Sequence, residues 1–221
     1  MSAPGMEGVL MEVFHRLYGR YGPQGWWPGE SRFEVVIGAI LTQAVSWRSV
    51  ERALDNLKQA QVFSMDGLRD VPQAQLAQML RPCVYFNMKA RKLKAFVDHV
   101  WDQYGGDLDA LLSREPAELR EELLSIYGIG EETADDILVY AAGQPSFIID
   151  SYTRRILSRM GFADGKASYR ELQSLFHQHL PREVGLFNEY HALLDRHARE
   201  VCRKRPVCVD CCLSGMCPSR C

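Results

Sequence analysis

The chain has 221 residues, 47% of them hydrophobic and 24% charged, which is long and apolar enough to bury a real core and excludes a mainly disordered protein. Twenty-six Lys and Arg against 28 Asp and Glu leave a net charge of −2, so nucleic-acid binding by bulk charge is excluded and any DNA contact has to come from local basic patches. No run approaches the ~20 apolar residues that span a bilayer, and the first thirty residues lack the basic start and continuous apolar core of a signal peptide. The expectation is a cytoplasmic chain with no membrane partner.

In chain order the sequence reads as helix after helix. Trp26, Trp27 and Pro28 lie in a Pro- and Gly-rich stretch, residues 23–29, that serves as a boundary. Phe33, Val36, Ile37, Ile40 and Leu41 then recur at helical spacing. Segments 49–60, 73–80 and 89–103 carry similar patterns, with Asn87 placed to cap the third. Within this part, residues 81–97 hold five basic side chains (Arg81, Lys89, Arg91, Lys92, Lys94) and no acid. Leu119, Leu123, Leu124 and Tyr127 mark another helix, and 168–180 and 183–200 two more after the turn at Gly143–Pro145. No alternating, strand-like run of convincing length appears. The fold class is all-α, with about ten short helices joined by short loops.

Six of the seven cysteines fall in the last twenty residues. A disulfide framework is usually spread along a small secreted chain, so crowding at one end of a cytoplasmic one points to metal. Cys202, Cys208, Cys211 and Cys217 are separated by five, two and five residues, and four thiolates so close in sequence suit either zinc or a 4Fe–4S cluster. Four protein ligands leave no open position, which makes the site structural. Cys212 and Cys221 are spare thiols.

Between two helical patterns stands Gly128-Ile-Gly130, followed by Glu131, Glu132 and Thr133. The glycines permit a tight turn and close approach of backbone to a partner, and amides opening the next helix suit a phosphate oxygen. Seventeen residues past Thr133, three apolar residues lead into Asp150, either a helix N-cap, a placed functional carboxylate, or both.

A helix–hairpin–helix, then an Asp, then a four-Cys loop resembles the endonuclease III superfamily of DNA glycosylases over residues 25–217. The resemblance implies a six-helix barrel domain at 24–144, with the helix–hairpin–helix at about 117–142, and an iron–sulfur domain made from 1–23 and 145–221. It implies Asp150 as the catalytic carboxylate, backbone contacts to DNA from Gly128, Gly130 and Thr133, and a 4Fe–4S cluster on Cys202, Cys208, Cys211 and Cys217, with five residues between the first two cysteines where endonuclease III has six. A monovalent cation at the hairpin is an additional expectation. Bifunctional members carry a Schiff-base Lys two residues after the second hairpin Gly, where this chain has Glu132. A carboxylate forms no imine, so the expected enzyme is monofunctional, with Asp150 working through water.

The Trp-Trp-Pro segment and an aromatic four residues past a Gln resemble the 3-methyladenine glycosylase III branch, implying a base pocket of Trp26, Trp27, Pro28 and Trp47. Indole faces suit a cationic alkylated purine. Gln43 matches the family's wedge, and Tyr85 or Phe86 the plug of its other intercalating loop, with Lys89, Arg203, Lys204 and Arg205 as further DNA contacts. Arg154 and Arg155 form a third basic cluster. The expected partner is double-stranded DNA containing damaged bases, met by a monomer. Two alternatives remain: an endonuclease III-like activity on oxidised pyrimidines with little or no lyase step, and a non-catalytic damage-binding or redox-responsive DNA-binding protein.

Overall fold

The computed structural model describes residues 5–27 and 29–220. Helices account for all its regular structure among these residues, and the chain divides into two units, one spanning Trp27–Gln144 and the other joining the residues up to Trp26 with Pro145 onward.

The continuous unit runs α2 (Arg32–Thr42), α3 (Trp47–Gln59), α4 (Met65–Asp70), α5 (Gln73–Met79), α6 (Phe86–Tyr104), α7 (Leu108–Leu112), α8 (Pro116–Ser125) and α9 (Glu131–Asp136), the last continuing into a π-helical turn, Ile137–Ala141. Helix α2 starts at Ser31, whose hydroxyl accepts from the Glu34 amide at 3.2 Å. Its residues 34–41 are buried without a break. A helix buried on every face is a central one, and α3, α6, α9 and the π turn pack around it. Gly105, at φ 61°, ends α6 in the left-handed conformation.

The other unit contains α1 (Met6–Tyr21), α10 (Ser151–Arg159), α11 (Tyr169–His179) and α12 (Val184–Glu200), with short 3-10 turns at Cys208–Asp210 and Ser214–Met216. Leu10, Val13 and Leu17 form the buried stripe of α1, and the Tyr190 hydroxyl of α12 donates to the Leu10 carbonyl at 2.8 Å. Phe147, Phe176, Phe187 and Tyr190 are buried together, with the first two rings stacked 3.5 Å apart. Full burial of each such side chain is worth about 1.5–3 kcal/mol. A complete capping box, Ser168 with Glu171, opens α11.

Candidate active-site residues and cysteine loop

The hairpin is built by packing and by one glycine. Leu119, Leu123, Ile126 and Ile129 are buried in the core of the continuous unit. Between the last two, Gly128 takes φ +89°, and a Cβ there would lie 2.3 Å from Lys92 Cγ and 2.7 Å from Cδ. Gly128→Ala therefore meets both a left-handed backbone and an occupied space. The expected cost is about 2–4 kcal/mol, read as a lowered urea midpoint; an unchanged midpoint would show that the turn tolerates a side chain. Gly130 is extended and caps α9.

Gln43, expected as a wedge, is engaged by the hairpin itself. Its Nε2 donates to the Gly128 carbonyl at 3.0 Å and to Thr133 Oγ1 at 2.9 Å, and its Oε1 accepts from Lys92 Nζ. Burial lowers the Lys92 pKa from its usual value. The two arms are also joined by Arg120 of α8, which forks onto Asp135 of α9 at 2.9 and 3.0 Å and lies 3.8 Å from Glu131. Glu132 is exposed in the first turn of α9.

Lys89 differs from its expected place among the surface cations. It is 3% exposed, and its ammonium donates to the Leu41 and Gln43 carbonyls at 2.5 and 2.7 Å. Those carbonyls close the C-terminus of α2, where orphan acceptors and the negative end of the helix dipole favour a cation. Burial lowers this lysine's pKa too. Arg154 and Arg155 are likewise committed inward: the first donates to the Ala167 carbonyl, the second to the Cys202 and Ala198 carbonyls at 2.9 and 3.1 Å. Arg203, Lys204 and Arg205 are exposed.

Tyr85, 69% exposed, precedes α6 in the left-handed conformation at φ 58°. Such a backbone is strained for a bulky residue. Phe86 is half-buried under the Arg81 guanidinium, 5.9 Å from its ring centroid. Asn87 lies inside α6 and is not its cap; the helix begins one residue earlier.

Trp27 and Trp47 meet edge to face at 5.2 Å, and Tyr140, carried on the π turn, tilts against Trp27 at 5.0 Å. Gly38 makes room for them, since a Cβ there would come within 3.2 Å of the Trp47 ring. π turns recur at functional sites, and Tyr140 is an addition that no sequence signal marks. Trp26 belongs to the other unit, where its carbonyl accepts from Asn188 Nδ2 at 2.8 Å. Pro28 lies outside the described residues.

Asp150 is half-buried and caps α10, its Oδ1 accepting from the Thr153 amide at 2.6 Å. Its charge reaches two buried residues of α12, His191 and Asp195. Burial lowers the His191 pKa, opposed by the charges of Asp150 and Asp195. Burial likewise raises that of Asp195, against its partner Arg199 at 2.9 Å. Sequence reasoning passed over this pair, although two polar residues four apart on an apolar helical face are a signal of their own.

Cys202, Cys208, Cys211 and Cys217 line one pocket together with Val201, Pro206 and Val207; Cys212 is not among its walls. No three described His, Cys, Asp or Glu side chains are grouped to hold a single ion. The donor set fits the cluster: four soft sulfurs around one cavity, with Arg159 Nη1 3.2 Å from Cys202 Sγ and His197 Nε2 3.5 Å from Cys211 Sγ.

The sequence profile of the HhH-GPD superfamily of base excision DNA repair proteins matches residues 37–182. A candidate DNA repair glycosylase of Methanocaldococcus jannaschii is 40% identical over 96% of this chain and 97% of its own. Endonuclease III of Sulfolobus acidocaldarius is 28% identical over 84% of this chain and 81% of its own. Among solved structures, an endonuclease III–DNA complex superposes with a TM-score of 0.83 at 20% identity, over 99% of this chain and 97% of that one. The H. pylori 3-methyladenine DNA glycosylase bound to 1,N6-ethenoadenine gives 0.76 at 24%, over 89% and 98%. These two likenesses establish the fold.

Proposed function

This chain belongs to the HhH-GPD superfamily of base excision DNA repair proteins and is a DNA glycosylase; from that premise we propose that it is a monofunctional enzyme acting on alkylated purines in duplex DNA, as a cytoplasmic monomer. The observation that carries the reading is Glu132, exposed at the position where bifunctional relatives need an amine. Without that amine the glycosidic bond is broken by water, not by an enzyme nucleophile. Asp150, ionised, stabilises the positive charge that develops on the sugar as the base leaves, and orients or deprotonates the attacking water. A 3-methylated adenine leaves as a neutral base, so little protonation of the leaving group is required.

Flipping the base costs a few kcal/mol. Tyr85, held out by its strained backbone, is suited to fill the gap left behind. The aromatic faces of Trp27 and Trp47, with Tyr140 beside them, suit a cationic purine. Cys202, Cys208, Cys211 and Cys217 hold a 4Fe–4S cluster that clamps the end of its unit and presents Arg203, Lys204 and Arg205 to phosphate.

One observation favours a second reading, an endonuclease III-like lyase: Lys92, its amine freed toward neutrality by burial, is joined to the hairpin through Gln43. A single assay separates the two. Methylated duplex DNA is incubated with the protein, released bases are resolved by chromatography, and strands are scored before and after alkali. Released 3-methyladenine with breaks only after alkali supports the first reading. Breaks without alkali, together with a borohydride-trapped adduct that Lys92→Met removes, would replace it with the second.

A further inference from the structure

We propose that His197 donates a hydrogen bond from Nε2 to the Cys211 sulfur of the iron–sulfur cluster and thereby raises the cluster's reduction potential, with Tyr21 orienting the imidazole; the inference rests on the iron–sulfur reading of the four cysteines. His197 is 1% exposed on α12, and each of its nitrogens has one partner: Nδ1 is 2.9 Å from the Tyr21 hydroxyl and Nε2 3.5 Å from Cys211 Sγ. An iron-bound thiolate carries no proton and can only accept. The hydrogen of that contact therefore sits on Nε2, whether the ring is neutral or charged. In the neutral ring Nδ1 is then the acceptor and the Tyr21 hydroxyl the donor, so one tautomer satisfies all three groups.

Tyr21 is itself held in place. It ends α1, and the Arg196 guanidinium lies 5.0 Å from its ring centroid while Nη1 of the same Arg reaches the Tyr21 carbonyl at 3.3 Å. A ring turned over at His197 would aim a C–H at the sulfur and lose the Tyr21 bond as well. Donors to ligand sulfurs stabilise the more negative, reduced cluster, and such outer contacts are among the levers that set its potential. Arg159 offers a similar N–H to Cys202, but it also donates to the Cys202, Arg203 and Lys204 carbonyls. Removing it would disturb the loop, whereas His197 isolates the sulfur bond.

The test compares the full-length protein with Tyr21→Phe, His197→Phe and His197→Gln, all purified without oxygen. Iron and sulfide are quantified first, then the midpoint potential is read by spectroelectrochemical titration. Both Phe variants should load iron and titrate at more negative potential, His197→Phe by more, and His197→Gln should move back toward the parent because its amide can restore an N–H. Phe variants that lose thermal stability while keeping the parent potential would make His197 a packing residue and overturn the proposal. If His197→Phe does not fold, an unshifted Tyr21→Phe overturns it equally. A parent protein without iron would sink the cluster reading, and this inference with it.

Discussion

Asp150→Asn lowers base release by at least about 10²–10³-fold while binding of duplex DNA persists. The magnitude is that of removing one group aimed at charge developing in a transition state. The amide keeps the shape of the carboxylate, and its Oδ1 can still accept from the Thr153 amide, so the cap of α10 survives. On the proposed mechanism the variant loses the negative charge opposite the cationic sugar and the base that takes a proton from water. Asp150→Ala removes the cap as well and should cost a further ~1 kcal/mol of stability, which makes the Asn variant the cleaner probe. Single-turnover release measured beside a binding isotherm checks the claim. An Asn variant with near-parental turnover would remove Asp150 from the chemistry.

Arg120→Met should destabilise the protein by about 3–5 kcal/mol, the usual penalty for stripping a buried carboxylate of its cation. Asp135 is wholly buried, and the Arg120 fork meets both of its oxygens. Because the pair joins α8 to α9 across the hairpin, the loss falls on the frame that positions Gly128 and Gly130. Arg120→Lys should recover only part of it, since an ammonium cannot bridge both oxygens in one plane. The double variant Arg120→Met, Asp135→Leu should be more stable than Arg120→Met alone, because no charge is then left buried. Urea unfolding of the three variants decides the matter: a loss below about 1 kcal/mol for Arg120→Met would mean that water or a neighbour takes over the carboxylate.

The all-helical class was legible because α2, α3, α6, α11 and α12 carry apolar residues at helical spacing over eleven or more residues. Helices α4 and α7, of six and five residues, are too short to show a period and take their shape from caps and packing. In α1 the stripe of Leu10, Val13 and Leu17 is blurred by Met11, Phe14 and Tyr18 on its flanks. The hairpin, Asp150 and the four cysteines stand out in the sequence by their order and spacing, which depend on covalent neighbours, and it is that order which carries the family resemblance. What the sequence could not supply were pairings between distant segments. Lys89 stands in a basic run and is expected at the surface as a DNA contact, yet acceptors 48 and 46 residues earlier draw it inside. The early start of α6 turns on a left-handed tyrosine, a conformation that residue type does not announce. Nothing in the sequence around His191 and His197 announces the Asp150 charge and the Cys211 sulfur that the fold sets against them.

The Tyr190–Leu10 bond joins positions 180 residues apart, and that interval is also a waiting time. At ribosomal speeds of about 5–20 residues per second, roughly 10–40 s separate the emergence of α1 from that of the helix it packs against. Throughout that interval the apolar stripe of α1 has no native partner, while residues 27–144, an uninterrupted stretch, can acquire theirs in the order they are made. The cysteine loop follows α12, so it is made after every helix of its unit. The two units are therefore completed in order during synthesis, the continuous one first and the one joined from both chain ends last.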